Sequence, residues 1–450
     1  MRARAPLPGG LICCVLATAA TAQTVPDTEG RFRLSATERV RYELIDGQAR
    51  AGFNESDDLL NFRTTVLAEY DAAPVKLAAE LWDSRVYRAD RGTPVTTNEV
   101  NALELVQAFA EVALGDVAGP GSKATVQAGR FMLNLGSRRL VAADDYRNTT
   151  NGYTGLHATL ATKVGWRATA IYTLPQQRRP DDLDALLDNE VAVDREGSNL
   201  VLWGGLASRA RAIGPATVEM SFFHLGERDR PGRPTRDRSL NTAALRVIRD
   251  PAPGRFDLEV EGIVQRGRAS ASTAAVAVRQ PVAAWFLHAD AGYTFAGGWK
   301  PRVSVEYDHA SGDGRGGRYG RFDTLLGMRR ADLAPAGLYN AIARTNIASP
   351  GVRVEATPDR RTDLFLSYRP MWLASRFDAF SSTGVRDASG RSGNFAGHQI
   401  DGRVRHRLSR TLMLEADVVL LAKGRFLRDA PNAPPGHWTR YVSFNAVASF

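Results

Sequence analysis

The arginines carry the most chemistry in this chain. Lysine occurs only at Lys76, Lys123, Lys163, Lys300 and Lys423, so arginine supplies nearly all of the positive charge. A base composition rich in G and C favours arginine over lysine everywhere, but it does not sort arginines by strand face. Here Arg31, Arg33, Arg39 and Arg41 alternate with Phe32, Leu34, Val40 and Tyr42. A guanidinium stays charged and binds a carboxylate through two parallel hydrogen bonds. Rings of arginine around a pore select anions. Interleaved acids would hold the arginines and keep anion binding weak enough for release.

Other chemistry is poorly represented. No G-x-S-x-G elbow, H-E-x-x-H or Walker loop occurs. His157, His224, His288, His309, His398, His406 and His437 lack metal-ligand spacing. The glycine-rich stretch 312–320 has Asp308 and Asp313 nearby, without the acidic spacing of a calcium loop. No cofactor or metal is expected, and the chain does not read as an enzyme. A barrel hydrolase, with Ser or Asp beside His at the wall, is the alternative of a different class.

The elements that must position these arginines are strands. In 411–423, Leu412, Leu414, Ala416, Val418, Leu420 and Ala422 oppose Glu415, Asp417 and Lys423. In 60–71, Leu60, Phe62, Thr64, Val66, Ala68 and Tyr70 oppose Asn61, Arg63, Glu69 and Asp71. Segments 32–44, 299–309 and 399–408 show the same period of two, and no helical period competes. Segments 239–249 and 282–296 are less regular. Short turns recur at 72–74, 115–122, 162–165, 210–215, 250–254, 296–298, 358–361 and 409–410. Longer polar stretches lie between them, at 46–58, 88–101, 134–152, 175–197, 226–238, 268–281, 310–351, 374–396 and 424–437. This strict alternation predicts an all-β fold: one antiparallel up-and-down barrel of about eighteen strands.

The two ends agree. Arg2 and Arg4, the apolar stretch 11–17 and the small-x-small pattern Ala20-Thr21-Ala22 read as a signal peptide over residues 1–22. Residues 23–450 then form the barrel. Both cysteines, Cys13 and Cys14, fall in the signal segment, so no disulfide is expected. The chain carries 58 Lys and Arg against 49 Asp and Glu, a formal charge of +9. That charge would suit nucleic acid, but an exported strand protein would not meet it. At the other end, Val442, Phe444, Ala446, Ala448 and Phe450 share one face, opposite Tyr441, Ser443, Asn445 and Ser449. An alternating last strand that stops on an aromatic resembles the assembly signal of bacterial outer-membrane barrels. Expected partners are therefore the barrel-assembly machinery, acting on Phe450, and outer-membrane lipid with lipopolysaccharide. A monomer is expected.

Several motifs carry a wider resemblance. They are Ala79-Glu80-Leu81-Trp82-Asp83-Ser84-Arg85, the run 128–141 with Arg147-Asn148-Thr149, the run 306–313, Arg321-Phe322-Asp323, Asn346-Ile347 with Pro350, and 423–427. In their order and spacing the chain resembles the alginate-export family of outer-membrane barrels. The resemblance implies eighteen strands around an electropositive pore that passes a linear anionic polyuronate. The expectation is thus a passive channel for an anionic saccharide or related acid, with uptake of small carboxylates as the alternative within transport.

A barrel of this width has an aqueous lumen unless loops fill it. The expected lumenal arginines are Arg39, Arg41, Arg63, Arg130, Arg139, Arg302, Arg353, Arg403 and Arg405. Glu80, Asp83, Glu306 and Asp308 are their expected partners. Arg85 joins them only if a bulge near Asp83 turns it, since it shares parity with Leu77 and Leu81. Loops longer than ~15 residues are usually functional or disordered. Segment 310–351, with Arg321, Phe322 and Asp323, is expected to fold over or into the mouth and narrow the pore.

Overall fold

The alternation near the C-terminus sets the pattern of the whole wall. The computed structural model describes residues 31–450, apart from 145, 232, 275 and 329–331. Strands β17 (Leu412–Lys423) and β18 (Trp438–Ser449) pair antiparallel with Asp417 opposite Ser443 and Glu415 opposite Asn445. Those four side chains are buried, whereas Val418, Leu420 and Phe444 are exposed on the other face. Strand side chains alternate faces, so a slip of one residue would turn every apolar group inward.

The remaining strands follow in chain order. They are β1 (Arg31–Asp46), β2 (Ser56–Ala72), β3 (Val75–Tyr87), β4 (Asn101–Ala113), β5 (Lys123–Met132), β6 (Gly152–Ala161), β7 (Trp166–Pro175), β8 (Leu200–Ile213) and β9 (Ala216–Glu227). Then come β10 (Ser239–Arg249), β11 (Arg255–Ser270), β12 (Arg279–Thr294), β13 (Arg302–Ala310), β14 (Ile347–Ala356), β15 (Thr362–Trp372) and β16 (Phe395–Arg407). Each pairs with its neighbours in sequence, and β1 also pairs with β18. The result is a closed antiparallel barrel of 18 strands. Closure satisfies the backbone of every strand and leaves no edge. The last residue takes part: Phe450 N–H donates to Ala36 O at 2.8 Å, and Ala36 N–H donates to Phe450 O at 3.1 Å.

Turns and long connections lie at opposite ends, as the sequence predicts. The start of β1 and the end of β18 are both at the short-turn end, the periplasmic end in bacterial barrels. Aromatics ring its outer wall there, with Phe256 and Tyr293 at 4.8 Å and Tyr293 and Phe295 at 5.0 Å between ring centres. Two short helices, α1 (Leu183–Leu187) and α2 (Arg425–Asp429), sit in long connections. The expected signal segment lies outside the described residues.

One long connection departs from the expected pattern. Segment 133–151, read from sequence as an ordinary outer loop, turns into the barrel. Leu133, Leu140, Val141, Ala142 and Ala143 are buried there. The connection between β13 and β14 also enters, and buries Leu333, Leu338, Tyr339, Ala341 and Ile342. The two insertions are joined by backbone. Leu326 N–H donates to Leu140 O at 3.0 Å, Ala142 N–H to Leu326 O at 3.1 Å, and Met328 N–H to Arg138 O at 2.9 Å. Together they form a plug, and the apolar core of the protein lies where this plug and the other outer connections meet the wall.

Candidate functional site: a plugged, arginine-lined lumen

The lumen is built where the polar strand faces meet this plug. Arg39 and Arg41 on β1 are buried beneath segment 133–151. Arg39 donates to Tyr146 O at 3.3 Å, to Arg147 O at 2.6 Å and to Asn148 Oδ1 at 3.0 Å. Arg41 donates to Tyr146 O at 2.5 Å and to Asn445 Oδ1 at 2.6 Å, and lies 4.5 Å from the Tyr146 ring centre. Arg63 on β2 stacks over Trp82 at 4.5 Å and donates to Arg147 O at 3.2 Å. All three point into the barrel and hold the plug; Arg39 and Arg41 are buried beneath it, and Arg63 is half-buried.

The second insertion has its own receptor. Glu43 accepts from Leu338 N–H at 2.8 Å, Asn61 at 3.0 Å and the Tyr441 hydroxyl at 3.1 Å. Gly337 makes this approach possible. Its φ is +75°, and a Cβ there would lie 2.2 Å from Glu43 Oε2. Tyr339 donates to Gln399 at 2.6 Å. Phe322 packs on Phe286 with ring centres 5.6 Å apart. Arg321 pairs with Asp378 at 2.8 Å, and Asp323 pairs with Arg238 at 2.8 Å. The motif 321–323 therefore fixes this segment to the wall and to the neighbouring connection.

The two insertions meet at an ion cluster. Arg139 binds Asp332 through Nε and Nη2, both at 2.8 Å, and reaches Glu259 at 2.5 Å and Glu261 at 2.6 Å on β11. Arg344 joins Asp332 at 3.0 Å. Burial alone would raise the Asp332 carboxyl, but Arg139, His288 and Arg344 outweigh it and hold it well below the usual range. Arg369 on β15 pairs with Glu306 at 2.8 Å and Asp308 at 3.2 Å, and donates to Asp332 O at 2.9 Å. His288, Asp308 and Asp332 bring ligand atoms within 4.8 Å of one another. Their carboxylates already serve Arg139, Arg344 and Arg369, so this is a poor place for a cation.

Below the plug, toward the short turns, the lumen is open. Arg302 meets Asp257 at 2.5 Å, Glu355 at 3.3 Å and also Asp290. Arg353 meets Glu355 at 2.9 Å and lies 3.9 Å from the Phe365 ring centre. Arg403 meets Asp363 at 2.7 Å, and Arg405 meets Glu415 at 2.6 Å. These are the expected lumenal arginines with acids interleaved. Their side chains stay reachable: Arg353 is 19% exposed, Arg403 20% and Arg405 34%.

Four expectations are corrected. Asp83 and Arg85 are not lumenal. They share the face of exposed Leu77 and Leu81 and pair with each other at 2.9 Å. The pairing of β3 with β2 runs without interruption through them, and the register shift near Asp83 is on the β4 side, so no bulge turns Arg85 inward. Arg130 faces no open lumen either. It latches Glu104 on β4, at 2.7 Å, to Glu196 in the outer connection 176–199. Arg139 is a plug residue, 4% exposed, and not part of an open pore wall. Glu80 is lumenal, but its partner is Gln107 on β4 at 2.5 Å, not an arginine. Sequence reasoning missed Glu43, Asp332, Arg344 and Arg369. The signal for the unexpected insertion was its run of apolar residues, Leu133, Leu135, Leu140 and Val141, in a nominally outer loop.

Comparison with known proteins agrees with this geometry. No curated protein matches the chain at the level of sequence. The fold matches crystal structures of Pseudomonas aeruginosa outer-membrane proteins. For opdK the TM-score is 0.61 at 8% identity, covering 93% of this chain and 98% of that one. For OccK5 (OpdH) it is 0.59 at 9% identity, covering 93% and 98%. For OccD3 (OpdP) it is 0.55 at 12% identity, covering 96% and 93%. At such identities the likeness concerns the fold alone. The alginate export family matches residues 31–436. The chain is a member of the alginate-export family of bacterial outer-membrane β-barrels.

Proposed function

We propose that this barrel is a passive channel for acidic saccharides and related acids. One observation carries the reading. A series of hollows runs from the short-turn mouth to the plug, and arginines line each of them. The outermost is bounded by Arg405 and Asp363, the middle one by Arg302 and Arg403 with Glu355 and Asp363, and the innermost by Arg139, Arg246, Arg302 and Arg353 among a larger number of carboxylates. Shared residues make them neighbours: Lys300 and Asp363 border the first two, and Arg302 and Glu355 border the last two. Arg353, Arg403 and Arg405 keep N–H groups for a passing carboxylate, whereas Arg302 has its N–H groups engaged by Asp257, Asp290, Ser304 and Glu355. Their acid partners limit how tightly a passing carboxylate is held. The family and fold are those of channel proteins rather than enzymes.

A second reading, passage of small carboxylates only, draws on the plug. The innermost hollow measures about 250 Å³, which suits an acid of monosaccharide size. A polymer would have to displace the plug. Flux into proteoliposomes tests the first claim. Glucuronate should enter faster than glucose of nearly equal size, and equal or faster glucose entry would overturn it. Comparing glucuronate with a hexameric uronate separates the two readings.

A further inference from the structure

Four basic side chains at the short-turn mouth share one hollow and have no carboxylate against them. Lys300 comes from the turn between β12 and β13. Arg360 and Arg361 come from the turn between β14 and β15, and Arg407 ends β16. The hollow measures about 460 Å³. Its acids are engaged elsewhere: Asp363 holds Arg403 at 2.7 Å, and Asp359 accepts from Arg361 N–H at 2.7 Å. Among the described residues, no carboxylate oxygen lies within 4.0 Å of a basic nitrogen of Lys300, Arg360, Arg361 or Arg407.

This sets the mouth apart from the rest of the lumen. At the plug the arginines are buried and paired with acids or with plug carbonyls. Below it they are shared with acids and partly exposed. At the mouth they are free of carboxylates, exposed and gathered from two turns and the end of β16. Like charges gathered in a concave surface repel, and an anion between them relieves that repulsion. A single carboxylate engages one guanidinium fork, whereas a ligand with several acid groups engages several at once. Arg407 has the same parity as Arg403 and Arg405 and pairs with Met413, while Val404 and Leu414 of the opposite parity are exposed on the lipid side. The cluster therefore opens on the lumen, not on lipid.

We propose that this hollow is a capture site for soluble polycarboxylates, which it hands on to Arg405, Arg403 and Arg302. The proposal rests on the anion-channel reading and names where the substrate first binds. Calorimetric titration of the purified chain with citrate, in nonionic detergent at low salt, tests it. The wild-type chain should show saturable binding. The combined variant Arg360→Gln, Arg361→Gln, Arg407→Gln should bind at least tenfold more weakly. The variant with lysine at the same three positions should retain binding. Heat-modifiable gel mobility checks that each barrel is folded. Absent wild-type binding, or equal affinity in the glutamine variant, would overturn the proposal. So would binding of dihexanoyl-phosphatidylglycerol without binding of citrate, which would give the cluster to lipid headgroups. The outcomes remain distinguishable from failure of the channel reading. An anion-preferring channel with unaltered citrate affinity in the glutamine variant loses only the capture site, whereas cation preference removes the reading beneath it.

Discussion

Arg139 grips Asp332 in a planar, two-bonded pair, and in doing so ties together two segments 193 residues apart in sequence. The same guanidinium reaches Glu259 and Glu261 on the wall. One side chain thus adds to the backbone bonds between the two insertions and ties both of them to the barrel wall. Removing one partner of a buried ion pair costs about 3–5 kcal/mol, because the other charge is left without compensation. Arg139→Ala should lower thermal stability and give larger, noisier single-channel currents. Deleting 314–341 should raise conductance further. Currents of unchanged size in both variants would show that the insertions do not obstruct the lumen.

Accessibility should follow the plug and not strand parity alone. Cysteine at Arg403 or Arg405 should react quickly with a membrane-impermeant thiol reagent. Cysteine at Arg41 should react slowly until 314–341 is deleted or Arg139 is replaced, since Arg41 is 2% exposed. Cysteine at Val404 or Leu414 should stay inert in the bilayer. Fast labelling at Leu414 with none at Arg403 would reverse the wall.

Much of this was legible in the sequence, and what was hidden has a physical cause. Period two is local. Val442 and Phe444 against Ser443 and Asn445 already declare which side meets lipid, and the turn and loop boundaries follow from where the alternation stops. The partner of Arg139 is not local, because nothing within a strand's length of it points to Asp332. Arg85 was ambiguous for another reason. Outward polar residues occur near strand ends, where the wall meets the outer connections, and parity there no longer tracks polarity. Segment 133–151 was assigned by the rhythm of loop lengths, which cannot tell a loop that leaves the barrel from one that enters it.

The outer connection 176–199 should dock most firmly at low pH. Burial, reinforced by nearby Glu104, pushes the Asp194 carboxyl up to about 7. An unfolded aspartate titrates near ~3.9. Between these values the folded state binds more protons than the unfolded one, so stability falls as pH rises. The contribution is fully present below about 4 and is lost as pH rises through about 7. Hydrogen exchange should show the Arg179 amide, which donates to Asp194 at 2.8 Å, opening more often at pH 8 than at pH 5.5, after correction for intrinsic rates. Asp194→Asn should abolish the difference. A pH difference that persists in that variant would assign it to another group.

Removing Phe450 should impair assembly more than stability. Its side chain is 38% exposed, and burying such a group contributes ~2 kcal/mol at most. The backbone pair with Ala36 adds one more closure contact to a barrel that has many. Chains lacking Phe450 should accumulate outside the outer membrane, while refolded material keeps nearly wild-type heat resistance. Normal outer-membrane levels would contradict a role for this residue in recognition.

The central claim is that the arginines of the lumen make the pore prefer anions. Exposed charges are screened beyond ~8 Å at physiological salt, so the preference must arise where the hollows narrow toward the plug. Reversal potential across a planar bilayer under a salt gradient measures it directly. The account predicts anion preference that weakens as salt rises and diminishes when Arg302, Arg353 and Arg403 are all replaced by alanine. Cation preference in the wild-type protein would contradict the account outright.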